Sequence, residues 1–399
     1  MKVEKILDEL ERLTNIQTAL YQYHDDKIVF SSGSEELKEQ IEVLEKKEMS
    51  HVNITRAFPF FELRLGNTIF GRLLFLEDNP VYGREKKENK IVIEQAGMIL
   101  ILLMQREIAD NKIRAQYKDE FVQDLLYQNI KSEEEIQNRA KLYNWNFSNG
   151  GIVVIVDVDD YKLMYHNKNY NVDMSCVQEE QRKIIFARSK RVMTKRFDKV
   201  VYNYLSDQII FIISVENYNK EQVIRQIIEA GDEIRKTVAE DTDFTVTIGI
   251  GRYMGKIVDV HKSYTQAKKS VLIGRAIYKK DKTVAFEQLG VYKLLWAVMN
   301  TEEAVELYDE YIGKLVKYDE QFHTQLVQTV EAISKYDWNL MKAAKESYIH
   351  YNTIKYRFSK ICEILEVNLR SKEEQINMDL SLKLYYLNEE KCEYVKSMS

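Results

Sequence analysis

The sequence predicts an α+β multidomain protein, and three observations carry that prediction. Short apolar runs bounded by turn residues recur within residues 1–88 and again within 150–289. The only two prolines, Pro59 and Pro80, lie in the first 80 residues, so nothing later carries that helix-breaking signal. Helical periodicity dominates the chain beyond residue 290. With 399 residues and 45% hydrophobic content, the chain is long enough for several domains with true cores.

Residues 1–88 open on a helix and continue into the strand-like run TALYQYHDDKIVFSS, which turns at Asp25-Asp26. A helix from Glu35 to Lys47 follows, and then the hairpin FFELRLGNTIFGRLLFL with Gly66-Asn67 at its turn. Helices on one side of an antiparallel sheet are the form of a small sensory domain of PAS or GAF type. No residue here singles out a ligand: His24, His51 and Arg64 read as ordinary surface or structural residues.

Residues 89–128 read as one long coupling helix. Ile101, Ile108, Ala115 and Val122 recur every seven residues, with Met104, Asn111, Lys118 and Leu125 at the companion positions. Two readings stay open, a two-stranded coiled coil whose buried Asn111 would fix register, and a single helix packed on its own domains.

Residues 129–289 hold the most regular α/β pattern: strand GIVVIVDV, helix 177–197, the hairpin KVVYNYL-SDQ-IIFIISV, helix 220–240, strand FTVTIGIGR, helix 259–277 and strand TVAFEQL. Strands and helices in β-α-β-β-α-β order predict a ferredoxin-like domain with helices against an antiparallel sheet. Residues 290–322 read as a helical connector, and 323–390 as an all-helical domain closed by a helix at 376–388.

The richest segment for function runs from Ala343 to Leu365, a short helix, a tight turn and a second helix. Ala344, Ile349, Ile354, Phe358 and Ile361 have the spacing of two helices crossing steeply over a small core. His350 sits where the N-cap of the second helix belongs, followed by Tyr351, Asn352 and Thr353 in the first turn. In a helix-turn-helix those first-turn side chains enter the major groove, while free N–H groups favour phosphate. The Asn352 amide matches the donor and acceptor edge of adenine. Lys355 lies one turn on, and Tyr356 and Lys360 extend the outward side. From Lys342 to Lys360 five cations (Lys342, Lys345, Lys355, Arg357, Lys360) face one anion, Glu346; from Ile361 to Ser399 five cations face eight anions. The basic surface is therefore a patch. On pattern alone a solvated helical hairpin remains the alternative.

Ala343, Ala344, Ile349, His350, Asn352, Thr353, Ile354, Tyr356 and Arg357, with Asn339 upstream and Leu365 downstream, closely resemble the C-terminal helix-turn-helix of the PucR/CdaR family of bacterial transcription regulators. Two positions depart from that pattern. Tyr351 stands where the family usually has Arg, which removes a phosphate or guanine contact, and Ser347 stands in place of an apolar residue. Residues 150–289 are similar to the degenerate nucleotide-cyclase palm, a GGDEF-like domain, of the same family. Gly249-Ile250-Gly251-Arg252, Ser263, Tyr264, Ala267 and Ile273-Gly274-Arg275 carry this similarity.

The run Asp157–Lys162 also looks like the first strand of a diguanylate cyclase, where carboxylates hold Mg²⁺. The hairpin Asn203-Tyr204-Leu205-Ser206-Asp207-Gln208-Ile209 argues against catalysis. Leu205 and Ser206 replace the glycines that let phosphates approach, and Gln208 replaces a carboxylate, leaving Asp207 alone of the metal-type pattern. A residual metal or nucleotide at Asp157, Asp159 and Asp207 stands as the lesser alternative to a structural hairpin. No enzyme activity, cofactor or metal is expected.

The resemblance implies a sequence-specific regulator that binds double-stranded DNA through His350, Tyr351, Asn352, Thr353, Lys355, Tyr356, Arg357 and Lys360. It also implies a small-molecule effector, control of uptake or catabolic genes, and a homodimer or higher homo-oligomer. The rivals are a nucleotide-binding or cyclase-like signalling protein and a protein-interaction module without DNA binding. The net charge of −5 and pI near 5.9 exclude chain-wide nucleic-acid coating but leave a local contact open. The longest apolar run, Ala96–Met104, has nine residues where a bilayer needs roughly 20, so no membrane partner is expected. MKVEKILDELERL does not read as a signal peptide, and a cytoplasmic protein is expected. Cys176, Cys362 and Cys392 lack a CxxC pair, which speaks against a disulfide framework or structural zinc.

Overall fold

The computed structural model describes residues 3–46, 50–76, 87–161, 172–205, 207–215 and 219–396. The chain divides into two compact units, 1–118 and 119–399. No helix among the described residues is long and apolar enough to cross a membrane.

The first unit contains α1 (Val3–Thr14), β1 (Thr18–Gln22), β2 (Lys27–Phe30), α2 (Glu35–Glu45), α3 (His51–Ile54), β3 (Phe60–Leu65), β4 (Thr68–Phe75) and the start of α4 (Lys87–Leu126). Its antiparallel sheet has the order β2-β1-β4-β3. Gly66 supplies the positive φ of 59° at the β3–β4 turn. Helices cover both faces of the sheet, where the sequence reading expected one. On one face Leu20, Leu63, Leu73 and Phe75 meet Ile6, Leu7 and Leu10 of α1 and Ile93, Ala96, Leu100 and Met104 of α4. On the other, Ala19 and Leu74 meet Leu37 and Ile41 of α2, with Ile54 and Phe58. The physical reason lies in the strands themselves. Consecutive residues point to opposite faces, so the unbroken apolar runs Ala19-Leu20 and Leu73-Leu74-Phe75 require two apolar coverings.

His51 ties this unit's loops together. Its Nδ1 lies 3.1 Å from Asp26 and its Nε2 3.1 Å from Glu45, and Tyr21 donates to the same Asp26 carboxylate at 2.8 Å. Burial works against the imidazolium, but Asp26 and Glu45 more than offset it, so the His51 pKa lies above its ordinary value. A raised folded-state pKa contributes stability that is complete below the unfolded value of about 6.5 and is lost as pH rises through the folded value. Thermal melts between about pH 6 and 8 are thus expected to show the first unit losing stability with rising pH. His51→Ala should flatten that slope; an unchanged slope would count against the tie.

The expected seam of α4 is spent inside the chain. Ile101 and Met104 are buried in the first unit, and Val122 and Leu125 in the second, while Asn111 and Ala115 are exposed. The packed-helix reading therefore accounts for both ends of that register. It also moves the expected boundary at residue 88, because α4 residues complete the core of the first unit.

The second unit begins with the end of α4 and α5 (Glu133–Lys141), whose N-cap Ser132 accepts from the Glu135 amide. Then come β5 (Ile152–Val158), α6 (Val172–Arg196), β6 (Val200–Leu205), β7 (Gln208–Ile213), α7 (Lys220–Asp241), β8 (Val246–Ile250), α8 (Val260–Tyr278) and β9 (Thr283–Ala285). The sheet order is β6-β7-β5-β8-β9. The first four strands pair antiparallel in the ferredoxin-like arrangement, but β9 pairs parallel to β8, which corrects the expectation of a wholly antiparallel sheet. The crossover through α8 returns the chain in the direction of β8, so a parallel edge is the only pairing open to it. Helices α6 and α7 pack on Val154, Val156, Phe211 and Ile248. The opposite face, Val153, Ile155, Ile210 and Ile212, receives Phe121 and Val122 of α4, Ile136 of α5, and Tyr264, Ala267 and Val271 of α8.

The remaining helices are α9 (Tyr292–Val298), α10 (Glu302–Tyr308), α11 (Lys314–Phe322), α12 (Leu326–Lys335), α13 (Leu340–Glu346), α14 (Tyr351–Leu365) and α15 (Lys372–Lys396). The expected connector does not stand apart: Tyr311, Ile312 and Leu315 share one core with Val330, Ile333, Ile354, Phe358 and Ile361. Trp338 Nε1 and the Ser334 hydroxyl both donate to Asp379, fastening α15 to this core. Leu384 and Leu387 of α15 also pack with Ile273 and Ala276 of α8.

Candidate nucleic-acid interface

Local chemistry sets the two helices of the motif. Asn339 caps α13 by accepting from the Lys342 amide at 3.0 Å. After Glu346 the Ile349 amide returns to the Ala344 carbonyl at 3.0 Å, and Tyr348 takes a positive φ of 53° to make the turn. Ala344, Ile354, Phe358 and Ile361 are buried, as their spacing predicts, Ile349 is half-buried against the same core, and Ala343 is buried as well. His350 is the N-cap of α14, with extended backbone, and its Nδ1 accepts from the Asn352 amide at 3.2 Å.

That cap alters one expectation. The amides of Thr353 and Ile354 reach the His350 carbonyl at 2.9 and 3.2 Å, so with Asn352 capped as well the first turn is largely satisfied from within. Phosphate attraction then falls to the side chains more than to free amides.

Helical geometry of about 100° per residue puts Asn352 and Tyr356 at the centre of the exposed side of α14, opposite the buried Ile354, Phe358 and Ile361. Lys355 flanks them on one side, Thr353 and Lys360 on the other, and Tyr351 stands at the margin, 40% exposed. Lys355 has no ion pair among the described residues. Lys360 pairs with Glu363 at 2.9 Å, and that bond raises its pKa above the ordinary lysine value.

Arg357 lies elsewhere. Its guanidinium donates to Thr329 Oγ1 at 3.3 Å and Gln325 Oε1 at 3.2 Å, so it braces α14 against the start of α12. Sequence reasoning missed Tyr348, which is 98% exposed at the turn between the two helices, close in sequence to the exposed Met341, Lys342 and Lys345. Its signal was an aromatic residue in a turn whose apolar neighbours were already assigned to the core.

The palm carboxylates are brought together around an arginine. Arg275 of α8 donates through Nη2 to Asp157 at 2.6 Å and to Asp159 at 2.7 Å, and through Nε to Asp159 at 2.9 Å. Thr245, Thr247 and the Asp281 amide take further positions on Asp159, and the Gln208 amide takes the second Asp157 oxygen. Burial disfavours the Arg275 charge, yet Asp157 and Asp159 hold its pKa above the ordinary value; burial pushes the Asp157 carboxyl up against the pull of Arg275. Asp207 is buried nearby on the hairpin, and Ser206 lies outside the described residues. Among the described residues no group of three or more His, Cys, Asp or Glu could hold a metal ion.

Comparison with known proteins matches the two domains in which α14 and β5 lie. The PucR C-terminal helix-turn-helix domain matches residues 326–384, and the GGDEF-like domain matches residues 128–271. Three Bacillus subtilis (strain 168) proteins are similar to the chain. The proline-responsive transcriptional activator PutR is 25% identical over 284 residues, 69% of this chain and 64% of that protein. The purine catabolism regulatory protein is 21% identical over 299 residues, 74% of this chain and 54% of its own length. The DNA-binding transcriptional activator AdeR is 25% identical over 184 residues, 46% of this chain and 43% of its own length. The chain thus spans between 43% and 64% of the length of these relatives. The chain thus joins a GGDEF-like middle domain to a C-terminal helix-turn-helix domain of the PucR type, and its relatives are transcription regulators.

Proposed function

We propose that this chain is a sequence-specific DNA-binding transcription regulator that responds to a small-molecule metabolite and controls uptake or catabolic genes. The observation that carries the reading is the exposed side of α14, where Asn352 and Tyr356 stand centrally with Lys355 beside them on a rigid, capped helix. Asn352 reads a base edge, and Tyr356, Thr353 and Tyr351 complete the groove contact. Lys355 and Lys360 neutralise phosphate, while His350 and Arg357 position the helix. The functions of the relatives, a proline-responsive activator, a DNA-binding activator and a purine catabolism regulator, support the same reading.

The first unit, with helices on both faces of a four-stranded sheet, serves as the PAS- or GAF-type sensor, and the palm as a connector without catalysis. Two copies join through α4. Its outward side carries Ile91, Met98, Leu102, Ala109 and Ile113 at spacings of 7, 4, 7 and 4, all exposed and uncharged. This line replaces the seam expected from Ile101 and Ile108. A dimer meets two half-sites about 34 Å apart.

Genomic fragments retained by the purified chain, sequenced and then titrated, test the reading. Asn352→Ala is expected to weaken operator binding by about 1–3 kcal/mol and to relax preference at one base pair per half-site. Lys355→Ala should weaken all sequences alike and make the salt dependence shallower. Absence of any sequence preference, with a flat salt response, would sink the proposal, and turnover of a nucleoside triphosphate with Mg²⁺ would favour the cyclase-like rival.

A further inference from the structure

We propose that Arg275 is a resident cation standing where an active cyclase palm holds its metal, and that this ion cluster anchors α8 so that α8 seats α15 of the helix-turn-helix domain. The run Asp157–Lys162 resembles the first strand of a diguanylate cyclase, in which such carboxylates hold a divalent ion. The residues do not fit one. Each oxygen of the two carboxylates already accepts from a donor of the chain itself: Arg275 and Gln208 on Asp157, and Arg275, Thr247, Thr245 and the Asp281 amide on Asp159. Asp157 and Asp159 are 3% exposed. A metal would have to displace a guanidinium that bridges both carboxylates, in a geometry that favours arginine over a point cation.

The consequence reaches beyond the palm because of where Arg275 sits. It is flanked on α8 by Ile273 and Ala276, which pack with Leu384 and Leu387 of α15. Lys279, one turn further along, lies 5.7 Å from the Tyr386 ring centre on α15. Earlier on α15, Ser334 and Trp338 hold Asp379, beside the core that carries α14. One helix is thus clamped to β5 by charge and to the DNA-reading domain by apolar packing. Arg275 acts as a positioning residue.

The test uses the full chain and three variants. Wild type is expected to show no change of melting temperature with millimolar Mn²⁺, and no bound Mn²⁺ by electron paramagnetic resonance. Arg275→Ala leaves two buried carboxylates without a counter-ion and is expected to melt about 10 °C lower. Millimolar methylguanidinium should return part of that loss and slow the amide hydrogen exchange of residues 380–387, which the substitution accelerates; Arg275→Lys should not respond. If Arg275→Ala does not fold, Arg275→Ala with Asp157→Asn and Asp159→Asn removes the uncompensated charge. That variant is expected to fold but to keep fast exchange at 380–387. Mn²⁺ bound to wild type overturns the resident-cation assignment. Wild-type exchange at 380–387 in a folded Arg275 variant overturns the coupling to α15.

Discussion

Phe358→Ala is expected to lower the stability of the C-terminal helical domain by about 3–5 kcal/mol and to abolish DNA binding near physiological temperature. Phe358 is buried on the inner side of α14 among Ile354, Ile361, Val330 and Ile333, the residues that set α14 against α12 and α13. Removing the ring leaves a cavity that the surrounding helices cannot close without moving α14. A typical domain has only about 5–15 kcal/mol in reserve, so the loss is a large fraction. Urea unfolding followed by tryptophan fluorescence, with Trp338 in the same core, gives the stability change. Operator titration at low and high temperature then separates loss of fold from loss of contact. Binding that stays weak in the cold, where the variant is folded, would mean that Phe358 acts on the DNA-reading side chains directly. An unchanged urea midpoint would remove it from the core altogether.

Gly249→Val should have an effect at or above the upper end of the usual overpacking range of about 1–3 kcal/mol. A Cβ at Gly249 would stand 2.2 Å from the Ala267 carbonyl oxygen and 2.7 Å from a Val271 methyl group. Val271 is itself packed in the core, and the Ala267 carbonyl and the Val271 amide, 3.0 Å from that Cβ, belong to the α8 backbone. Helix α8 must therefore lift from β8, and it carries with it Arg275 and the seat of α15. The expected result is a sharp fall in soluble yield and a lower melting temperature. Loss of DNA binding should accompany it, although Gly249 lies outside the helix-turn-helix. Gly251, whose Cβ would meet the Ser263 carbonyl at 2.1 Å, should behave in the same way. A Gly249→Val chain melting like wild type would refute the close approach of α8 to β8.

Much of the architecture was legible because its signals are local. The hairpin turns at Asp25-Asp26 and Gly66-Asn67, the cap at His350, and the buried series Ile354, Phe358, Ile361 each depend on residues within a turn or two. The candidate interface was legible for the same reason: burial of one side of a helix leaves the other side exposed, so Asn352, Lys355 and Tyr356 could be named before any fold was known. What was not legible has a common cause as well. Helices are expected on one side of the first sheet, although both parities of β1 and β4 are apolar. The period of α4 left a seam between chains and packing within the chain both open, and each end of the helix has a partner within its own chain.

The sequence by itself therefore determined the order of elements, the apolar sides they bury and the chemistry of the α14 surface, since these follow from periodicity and capping. Only the tertiary structure decided where the arginines go. Arg357 turns to Gln325, 32 positions away, and Arg275 reaches Asp157, 118 positions away. A cation's partner is chosen by which elements fold against it, and a pairing over that distance leaves no spacing in the chain to read.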